Sequence, residues 1–274
     1  MGDFYGKPTR FISNDFLEVE YLESAGPRIV GLRYRGCSNL LAQVPDQRRD
    51  TPWGEYFFMG GHRLWHSPEH MPRTYVPDND GCTSSLIPDG VLLEGKLEEG
   101  SAIRKSIEIR VDPIRPRVHL LHTLANEGLW DVKLAPWAIT MFRLGGQVTL
   151  PIRAENAAKT GLLPDRPLVL WPYTKIHDRR LKLSDDFIQI DAQPGDPIKI
   201  GMFNPCGWIS YQIDGILFRK SFDVCYGEEH ADFGCNSESF SGPYFVELES
   251  LGPLSLVPAG GKVQWQETWE LSEV

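Results

Sequence analysis

Alternation of apolar and polar residues at period two is the pattern that most limits how this chain can fold. Residues 103–111 place isoleucines and a valine on one face and mainly arginine, serine and glutamate on the other. The alternation resumes at residues 118–124, after the sequence PIRP at 113–116. Such alternation is typical of half-buried strands, so we expect two long strands joined by a proline-containing turn.

Many further segments have strand character, and almost none has a helical pattern. The additional predicted strands are residues 16–22, 29–34, 91–97, 132–142, 147–152, 168–171, 187–192, 198–203, 208–213, 215–222, 244–249 and 263–271. No segment of ten or more residues is amphipathic at the helical period, and short helical turns are predicted only at 154–160 and 181–186. Many strands separated by turn signals predict an all-β sandwich or barrel.

The length of the chain fits one large β domain. Its 274 residues are long for an average domain but ordinary for a large β-sandwich, and they can form a core without a disulfide or a structural metal. No linker, low-complexity tract or internal repeat divides the sequence. We therefore expect a single domain spanning residues 1–274.

Charge, termini and cysteines narrow the classes of partner and compartment. The net charge of −9 and the pI near 5.3 disfavour nucleic acid and anionic membrane surfaces as partners. The N-terminal residues have no apolar leader segment, and no apolar run reaches the roughly 18 residues of a membrane span. The five cysteines are odd in number and form no CxxC pair. A cytoplasmic protein with reduced cysteines is expected, with an exported protein lacking its leader as the alternative; no oligomeric state is indicated.

The stretch GGHRLWHSPEH at residues 60–70 has the composition of a polar-ligand site. It holds three of the seven histidines, with an arginine, a tryptophan and a glutamate. The glycines and the proline disfavour a helix or a central strand, so a loop is predicted. His62, His66 and His70 recur every four residues, which on a helix would suggest a transition metal. Because a helix is disfavoured here, we predict no metal. The sequence has no glycine-rich phosphate loop, nucleophile elbow or dinucleotide fingerprint, so we also predict no cofactor.

Several segments, in order along nearly the whole chain, together resemble the galactose-mutarotase-like superfamily, and most closely an uncharacterised family within it. These segments are SAGPRI (24–29), residues 60–70 with RTY (73–75), NEG (126–128), LAPWAIT (134–140), DFGCNSE (232–238) and ELESLGPL (247–254). The resemblance implies a β-supersandwich with a carbohydrate site on one concave face. It also implies a small-molecule sugar as the partner.

Mutarotase chemistry uses a base for the anomeric hydroxyl and an acid for the ring oxygen. The resemblance implies a late-strand glutamate as the base, which corresponds to Glu247 or Glu249. Both lie on one face of their predicted strand, opposite an apolar face. A solvated strand face is the structural alternative.

One departure from the family pattern concerns the acid. Where mutarotases carry a histidine before the proline, this chain has Ala135, which cannot transfer a proton. His62 and His66 are the candidate replacements. His122 shares its strand face with apolar residues, so we interpret it as a core histidine.

Further residues are candidates for sugar binding through stacking or hydrogen bonds, with the segment 232–238 expected to be a polar loop. They are Arg63, Trp65, Glu69, Tyr75, Trp137, Lys220, Asp232, Asn236 and Glu238. Each also has a structural explanation: core packing for the aromatic residues, an ion pair or solvated face for the cations, and an ordinary turn for the loop. The loop could also bind a hard cation such as calcium, although its spacing is not that of an EF-hand.

The sequence thus leaves three functions open. The first is an aldose 1-epimerase-like isomerase, with Glu247 or Glu249 as base and His62 or His66 as acid. The second is a carbohydrate-binding protein without catalysis, which Ala135 favours. The third is a glycoside hydrolase or lyase on the same fold, using two carboxylates such as Glu69 and Glu247.

Overall fold

The protein is built almost entirely of antiparallel β-strands. A computed structural model describes residues 1–152 and 166–274. In chain order the strands are β1 (Gly2–Phe4), β2 (Lys7–Ser13), β3 (Leu17–Leu22), β4 (Arg28–Tyr34), β5 (Gln43–Thr51), β6 (Gly54–Gly60), β7 (His62–Ser67), β8 (Thr83–Ile87), β9 (Gly90–Glu94), β10 (Ile103–Val111), β11 (Arg117–Asn126), β12 (Val132–Phe142), β13 (Gln147–Pro151), β14 (Leu168–Leu170), β15 (Leu181–Leu183), β16 (Phe187–Asp191), β17 (Ile198–Met202), β18 (Trp208–Ile213), β19 (Ile216–Phe222), β20 (Ser237–Ser241), β21 (Val246–Leu251), β22 (Ser255–Val257) and β23 (Lys262–Glu273). Helical structure in the described residues is limited to a 3-10 turn, Arg73–Tyr75, and a four-residue segment, Ala231–Gly234.

The strands form two large sheets and a hairpin. The larger sheet has eleven strands, in the order β1-β2-β3-β4-β7-β12-β21-β20-β17-β14, with β22 paired to β12. The second sheet has ten strands, in the order β15-β16-β13-β18-β19-β23-β11-β10-β9-β8. Strands β5 and β6 form a separate two-stranded sheet. The all-β prediction is confirmed.

The main core lies between the two large sheets. Buried side chains from both sheets, such as Val19 and Leu248 in one and Ile107 and Val118 in the other, belong to one apolar cluster. In β10 and β11 every second side chain is buried, as the alternation predicts. These two strands pair from Ile103–Asn126 to Val111–Val118, which confirms the predicted hairpin.

The loop prediction for residues 60–70 is wrong over most of its length. His62–Ser67 is strand β7, which pairs with β4 on one side and with β12 on the other. All six of its residues are buried. Because both faces are covered and both carry polar side chains, the strand lacks the alternation that identifies a half-buried strand.

The structure corrects two other local predictions. Residues 181–186 were predicted to be helical, but Leu181–Leu183 is strand β15, paired with β16. The polar loop predicted at 232–238 ends early, because Ser237 begins strand β20. The helical turn predicted at 154–160 lies outside the described residues. No helix in the described part of the chain is long and apolar enough to cross a membrane.

Candidate functional site

A cleft lies on the outer face of the eleven-stranded sheet, the face turned away from the ten-stranded sheet. Its volume is about 330 Å³, and residues of β7, β12, β17, β20 and β21 line it, with Arg49 and Phe58 of the β5–β6 hairpin on one side. Six residues proposed from the sequence line it: Arg63, Trp65, Glu69, Tyr75, Trp137 and Glu247. The structure therefore brings these six residues into one cavity.

Arg63 and Glu247 form an ion pair across the floor of the cleft. Arg63 Nη2 donates to Glu247 Oε1 at 2.9 Å, and the guanidinium carbon lies 4.3 Å from the ring centroid of Trp65. Burial raises the pKa of Glu247, with Glu249 adding to the rise and Arg63 opposing it. Glu247 is 8% exposed, so this carboxyl group is open to the cleft.

A second charged cluster surrounds Lys199. Its ammonium lies 2.7 Å from Glu238 Oε2 and 2.9 Å from Glu249 Oε2. The ammonium also lies 4.8 Å from the ring centroid of Trp137 and 4.6 Å from that of Trp171. Burial disfavours the charged lysine, but the two carboxylates outweigh burial and raise its pKa well above the ordinary value.

Glu238 and Glu249 differ in how they share this single cation. Trp137 Nε1 donates to Glu249 Oε2 at 2.8 Å, so Glu249 has an N–H donor in addition to the ammonium. Burial raises the pKa of Glu238 well above its ordinary value, although Lys199 opposes the rise. Neither carboxyl group is exposed. Both therefore support the cleft from below, whereas Glu247 faces its interior.

A buried hydrogen-bonded chain holds Trp65 in place. Trp65 Nε1 donates to Tyr56 Oη at 2.9 Å, and Arg28 Nη2 donates to the same oxygen at 3.3 Å. The Arg28 guanidinium also pairs with both carboxylate oxygens of Asp78 at 3.0 Å. Because all four side chains are buried, the position of the indole ring is fixed by partners away from the cleft.

The rim of the cleft carries Glu69, Tyr75 and Arg49. Tyr75 Oη donates to Glu69 Oε1. The Arg49 guanidinium carbon lies 4.5 Å from the centroid of the Tyr75 ring. Burial is the main reason why the pKa of Tyr75 is raised, and the Glu69 charge adds to it. This tyrosine is therefore neutral and a hydrogen-bond donor.

His62 does not lie in the cleft, contrary to the sequence prediction. It is fully buried between the sheets, where Nδ1 lies 2.9 Å from Thr140 Oγ1 and Nε2 lies 2.8 Å from His122 Nε2. His122 Nδ1 donates to the carbonyl oxygen of Trp265 at 3.1 Å, because a carbonyl can only accept. A neutral His122 then accepts at Nε2 from His62, and His62 accepts at Nδ1 from the threonine hydroxyl. In this arrangement every ring nitrogen has a hydrogen-bond partner while both histidines are neutral.

The same buried region contains the one group of potential metal ligands found in the described residues. The candidate ligand atoms of His62, His122 and Glu267 lie within 4.8 Å of one another. However, Lys220 Nζ lies 2.9 Å from Glu267 Oε1, and each histidine nitrogen has a hydrogen-bond partner. A neighbouring ammonium and fully engaged nitrogens fit a hydrogen-bonded network better than a divalent ion.

Lys220 and His66 also lie outside the cleft, which corrects two further predictions. Lys220 is fully buried between the sheets and donates to the carbonyl oxygens of Ala138 and Leu248, each at 3.1 Å. His66 is buried and its Nε2 lies 3.0 Å from Glu98 Oε2. The side chains of His62, Leu64 and His66 alternate with those of Arg63 and Trp65, so they lie on the opposite face of β7.

The predicted residues of the 232–238 segment have different surroundings. Asn236 is buried and bonds the backbone of Asn204, accepting from its N–H at 2.6 Å and donating to its carbonyl at 3.0 Å. Asn236 is therefore a structural residue. Burial raises the pKa of Asp232, and Glu238, Lys199, Glu249 and Glu69 all act on its carboxyl group. Asp232 thus lies close to the cleft without lining it.

Ala135, at the position of the expected acid, lies on the outer face of β12, since it alternates with Leu134 and shares a face with Trp137. It is fully buried and pairs with Ser67 of β7. It does not line the cleft. No histidine lines the cleft among the residues that the structure describes.

Other residues that line the cleft were not proposed from the sequence. They are Arg49, Phe58, Ile139, Trp171, Tyr173, Lys199, Phe240 and Phe245. Lys199 could have been found, because it is a lone cation on one face of a predicted strand whose other face is Ile198, Ile200 and Met202. Arg49 and Phe58 could not, because no predicted strand covered the hairpin that carries them.

Comparisons with known proteins support the fold. No family model and no curated protein sequence matches this chain. An Escherichia coli K12 protein provisionally named an aldose 1-epimerase superposes with a TM-score of 0.57 at 12% identity, covering 98% of this chain and 100% of the other. A galactose mutarotase-like protein from Lactobacillus casei gives 0.60 at 9% identity, with 97% and 100% covered.

A provisionally named mutarotase from Salmonella typhimurium gives a TM-score of 0.61 at 10% identity, with 96% of this chain and 90% of the other covered. At such low sequence identities the structural similarity is evidence of a shared fold only. Since the superpositions span nearly the whole chain, this protein has the galactose mutarotase-like fold.

Proposed function

We propose that the protein binds a neutral sugar in the cleft on the outer face of the eleven-stranded sheet. The observation that carries this proposal is a cavity whose walls are aromatic rings and whose floor presents charged hydrogen-bonding groups. Rings that are at least partly exposed, such as Tyr173, Phe240 and Phe245, offer faces to the C–H groups of a pyranose. Arg63 and Glu247 offer a donor and an acceptor for hydroxyl groups.

The charge balance of the cleft favours a neutral ligand over an anionic one. Arg63 is paired with Glu247, and Lys199 is paired with Glu249. On the rim, the positive Arg49 stands beside Tyr75, whose hydroxyl bonds the negative Glu69. A phosphate or carboxylate that reached Arg63 or Lys199 would have to displace an existing carboxylate from its partner, which costs free energy.

The fold neighbours named aldose 1-epimerase or mutarotase support a carbohydrate ligand, by analogy of fold only. Saturation-transfer NMR against a panel of neutral monosaccharides tests the proposal. Tyr173→Ala removes a ring that lines the cleft and should weaken the saturation signal. Tyr226→Ala removes an exposed ring outside the cleft and should leave the signal unchanged. Silence of the wild-type protein across the whole panel would refute sugar binding.

A second candidate is an aldose 1-epimerase-like isomerase in which Glu247 is the base. Burial raises the pKa of Glu247 above its ordinary value, which makes the carboxylate a stronger base, and the group lines the cleft where a ligand would bind. Glu249 is held by Lys199 and Trp137, so we assign the base to Glu247. Tyr173 is the candidate acid, and it is a weaker candidate than Glu247 is as base. Burial raises the pKa of Tyr173 to about 12, which makes this phenol a weak proton donor. For that reason binding comes first and isomerisation second.

Exchange NMR between the two anomers of a bound sugar separates these functions. If isomerisation occurs, Glu247→Gln should lower the exchange rate by about 10²-fold or more, the usual contribution of a general base. The isosteric amide keeps the volume of the side chain, so the saturation signal should survive. An unchanged exchange rate in Glu247→Gln would remove the isomerase candidate and leave binding in place.

A further inference from the structure

A tight turn beside the cleft holds an aromatic ring in an unfavourable position. In the segment Ala231–Gly234 the Cys235 N–H donates to the Ala231 carbonyl at 2.9 Å and closes the turn. Asp232 has φ 50° and ψ 52°, and Phe233 has φ 60° and ψ 28°. This left-handed region is disfavoured for a phenylalanine. The ring is also 93% exposed, so neither its backbone nor its solvation favours this placement.

The turn is anchored to the cleft through the residues that precede its tip. Ala231 belongs to the same buried cluster as Trp65, Tyr75 and Trp137, which line the cavity. Asp232 is within electrostatic reach of Lys199, Glu249 and Glu69. The turn therefore lies beside the cleft, and Phe233 is at its exposed tip.

The chemistry of this position differs from that of the cleft. Inside the cavity, charged groups such as Arg63 and Glu247 can select hydroxyl positions. At the tip of the turn, Phe233 offers only an apolar ring face. Such a face packs against the C–H face of a sugar ring whatever the configuration of the sugar hydroxyl groups. Residues held in a disfavoured backbone conformation cluster at active sites and ligand clamps.

We propose that Phe233 is the platform for a second sugar ring, so that the ligand is a glycoside or oligosaccharide rather than a free monosaccharide. One ring occupies the cleft, and the next ring of the ligand stacks on Phe233. This inference rests on the proposed function, because it extends the same site along a longer carbohydrate. It names the substrate class that the cleft alone does not distinguish.

Calorimetric titration of monosaccharides and matching disaccharides tests the inference. The probes are glucose against cellobiose and maltose, galactose against lactose, and mannose against mannobiose. At least one disaccharide should bind about threefold to tenfold more tightly than its monosaccharide, the range expected for one added ring contact.

The informative variant is Phe233→Asn, because asparagine adopts left-handed backbone readily and the turn should stay folded. It should abolish the disaccharide gain and leave monosaccharide affinity unchanged. Phe233→Tyr keeps a ring and should keep the gain. Trp130→Ala, which removes a 79% exposed ring outside the cleft, should also keep it.

Three outcomes overturn the inference while sparing the proposed function. The first is monosaccharide binding with no disaccharide gain in the wild-type protein. The second is a gain that survives in Phe233→Asn. The third is an equal loss of monosaccharide and disaccharide affinity in that variant, which would make the turn a support of the cleft. If no sugar binds at all, the proposed function and this inference both fail.

Discussion

The buried pair of His62 and His122 should make the protein sensitive to mild acid. Burial lowers the pKa of both rings, and for His62 the drop is well below the ordinary value of 6.5. Burial is the main cause, and the nearby Lys220 ammonium lowers both pKa values further. The hydrogen bonds also suit neutral rings, because Thr140 and His62 already occupy the acceptor nitrogens. A further proton on His122 Nε2 would face the Nε2–H of His62, a donor where an acceptor is required.

The sign and size of the effect follow from proton linkage. Below pH 6.5 the unfolded chain binds protons at these histidines, while the folded protein does not until its lowered pKa is reached. Stability is therefore complete above pH 6.5 and falls as the pH falls. Each histidine contributes up to about 1.4 kcal/mol per pH unit, so the pair contributes up to about 2.7 kcal/mol per unit.

Carboxyl groups with raised pKa, such as Glu238 and Glu247, act in the opposite direction. The histidine contribution is therefore measured as a difference between variants. Urea unfolding at pH 8.0, 6.5 and 5.5 should be compared for the wild-type protein and for a double variant, His62→Gln with His122→Asn. The double variant should be less stable at pH 8.0 but lose less stability on acidification.

The exposed His119 provides the matched control, since His119→Gln removes a histidine from the same strand as His122. Its unfolding free energy should follow the wild-type pH profile. Parallel pH profiles of the wild-type protein and the double variant between pH 6.5 and 5.5 would refute the neutral, hydrogen-bonded assignment of the pair.

Three further predictions concern the other features of the site and its support. Phe233→Gly should raise the free energy of unfolding by about 0.5–1 kcal/mol, because glycine adopts the left-handed conformation without strain; urea unfolding measures this, and a loss of stability would contradict it. Lys220→Met should lower the free energy of unfolding by about 3–5 kcal/mol, because it leaves the carboxylate of Glu267 buried without its cation. Adding Glu267→Gln should recover part of that loss in a double-mutant cycle. Arg63→Met should raise the pKa of Glu247 further, because it removes the cation that opposes the rise. A carbon-detected NMR titration of the Glu247 carboxyl group measures this, and an unchanged pKa would contradict the ion pair.

The fold was largely predictable because most strands are half-buried. Strands β10 and β11 lie in the second sheet with one face on the core, so their alternation was visible in the sequence. Strand β7 is covered on both faces and carries polar side chains on both, so its sequence resembles a loop. The glycines at 60 and 61, which have φ of 95° and 69°, further suggested irregular structure, although Gly60 ends β6 and Gly61 alone separates it from β7.

The composition of the cleft was predictable in part, but the face of the sheet on which each side chain lies was not. Glu247 and Glu249 were placed on one face because their strand was recognised. His62 and Arg63 are neighbours in a strand, so they must point to opposite faces. Treating the segment as a loop removed that constraint and assigned both residues to the same site.

Lys220 illustrates a second limit. It shares a strand face with Phe218 and Phe222, which are buried, so period two alone places it in the core. A lysine there requires partners that come from distant strands, namely the carboxylate of Glu267 and two backbone carbonyls. Such long-range pairing is not encoded by any local pattern.

The short outer strands of the two sheets have a consequence for how molecules of this protein meet one another. In the described part of the chain, β1 and β14 end the larger sheet with three residues each, and β15 and β8 end the second sheet with three and five. An exposed edge offers unpaired N–H and C=O groups to another chain, and the risk of intermolecular strand pairing grows with the length of the edge. The longest strands, β12 with 11 residues and β23 with 12, are each hydrogen-bonded to a neighbour on both sides. At the ends of its two large sheets, the described part of the protein therefore offers only short templates for intermolecular strand pairing, and β5 of the separate hairpin, with nine residues paired only to β6, is the longer edge.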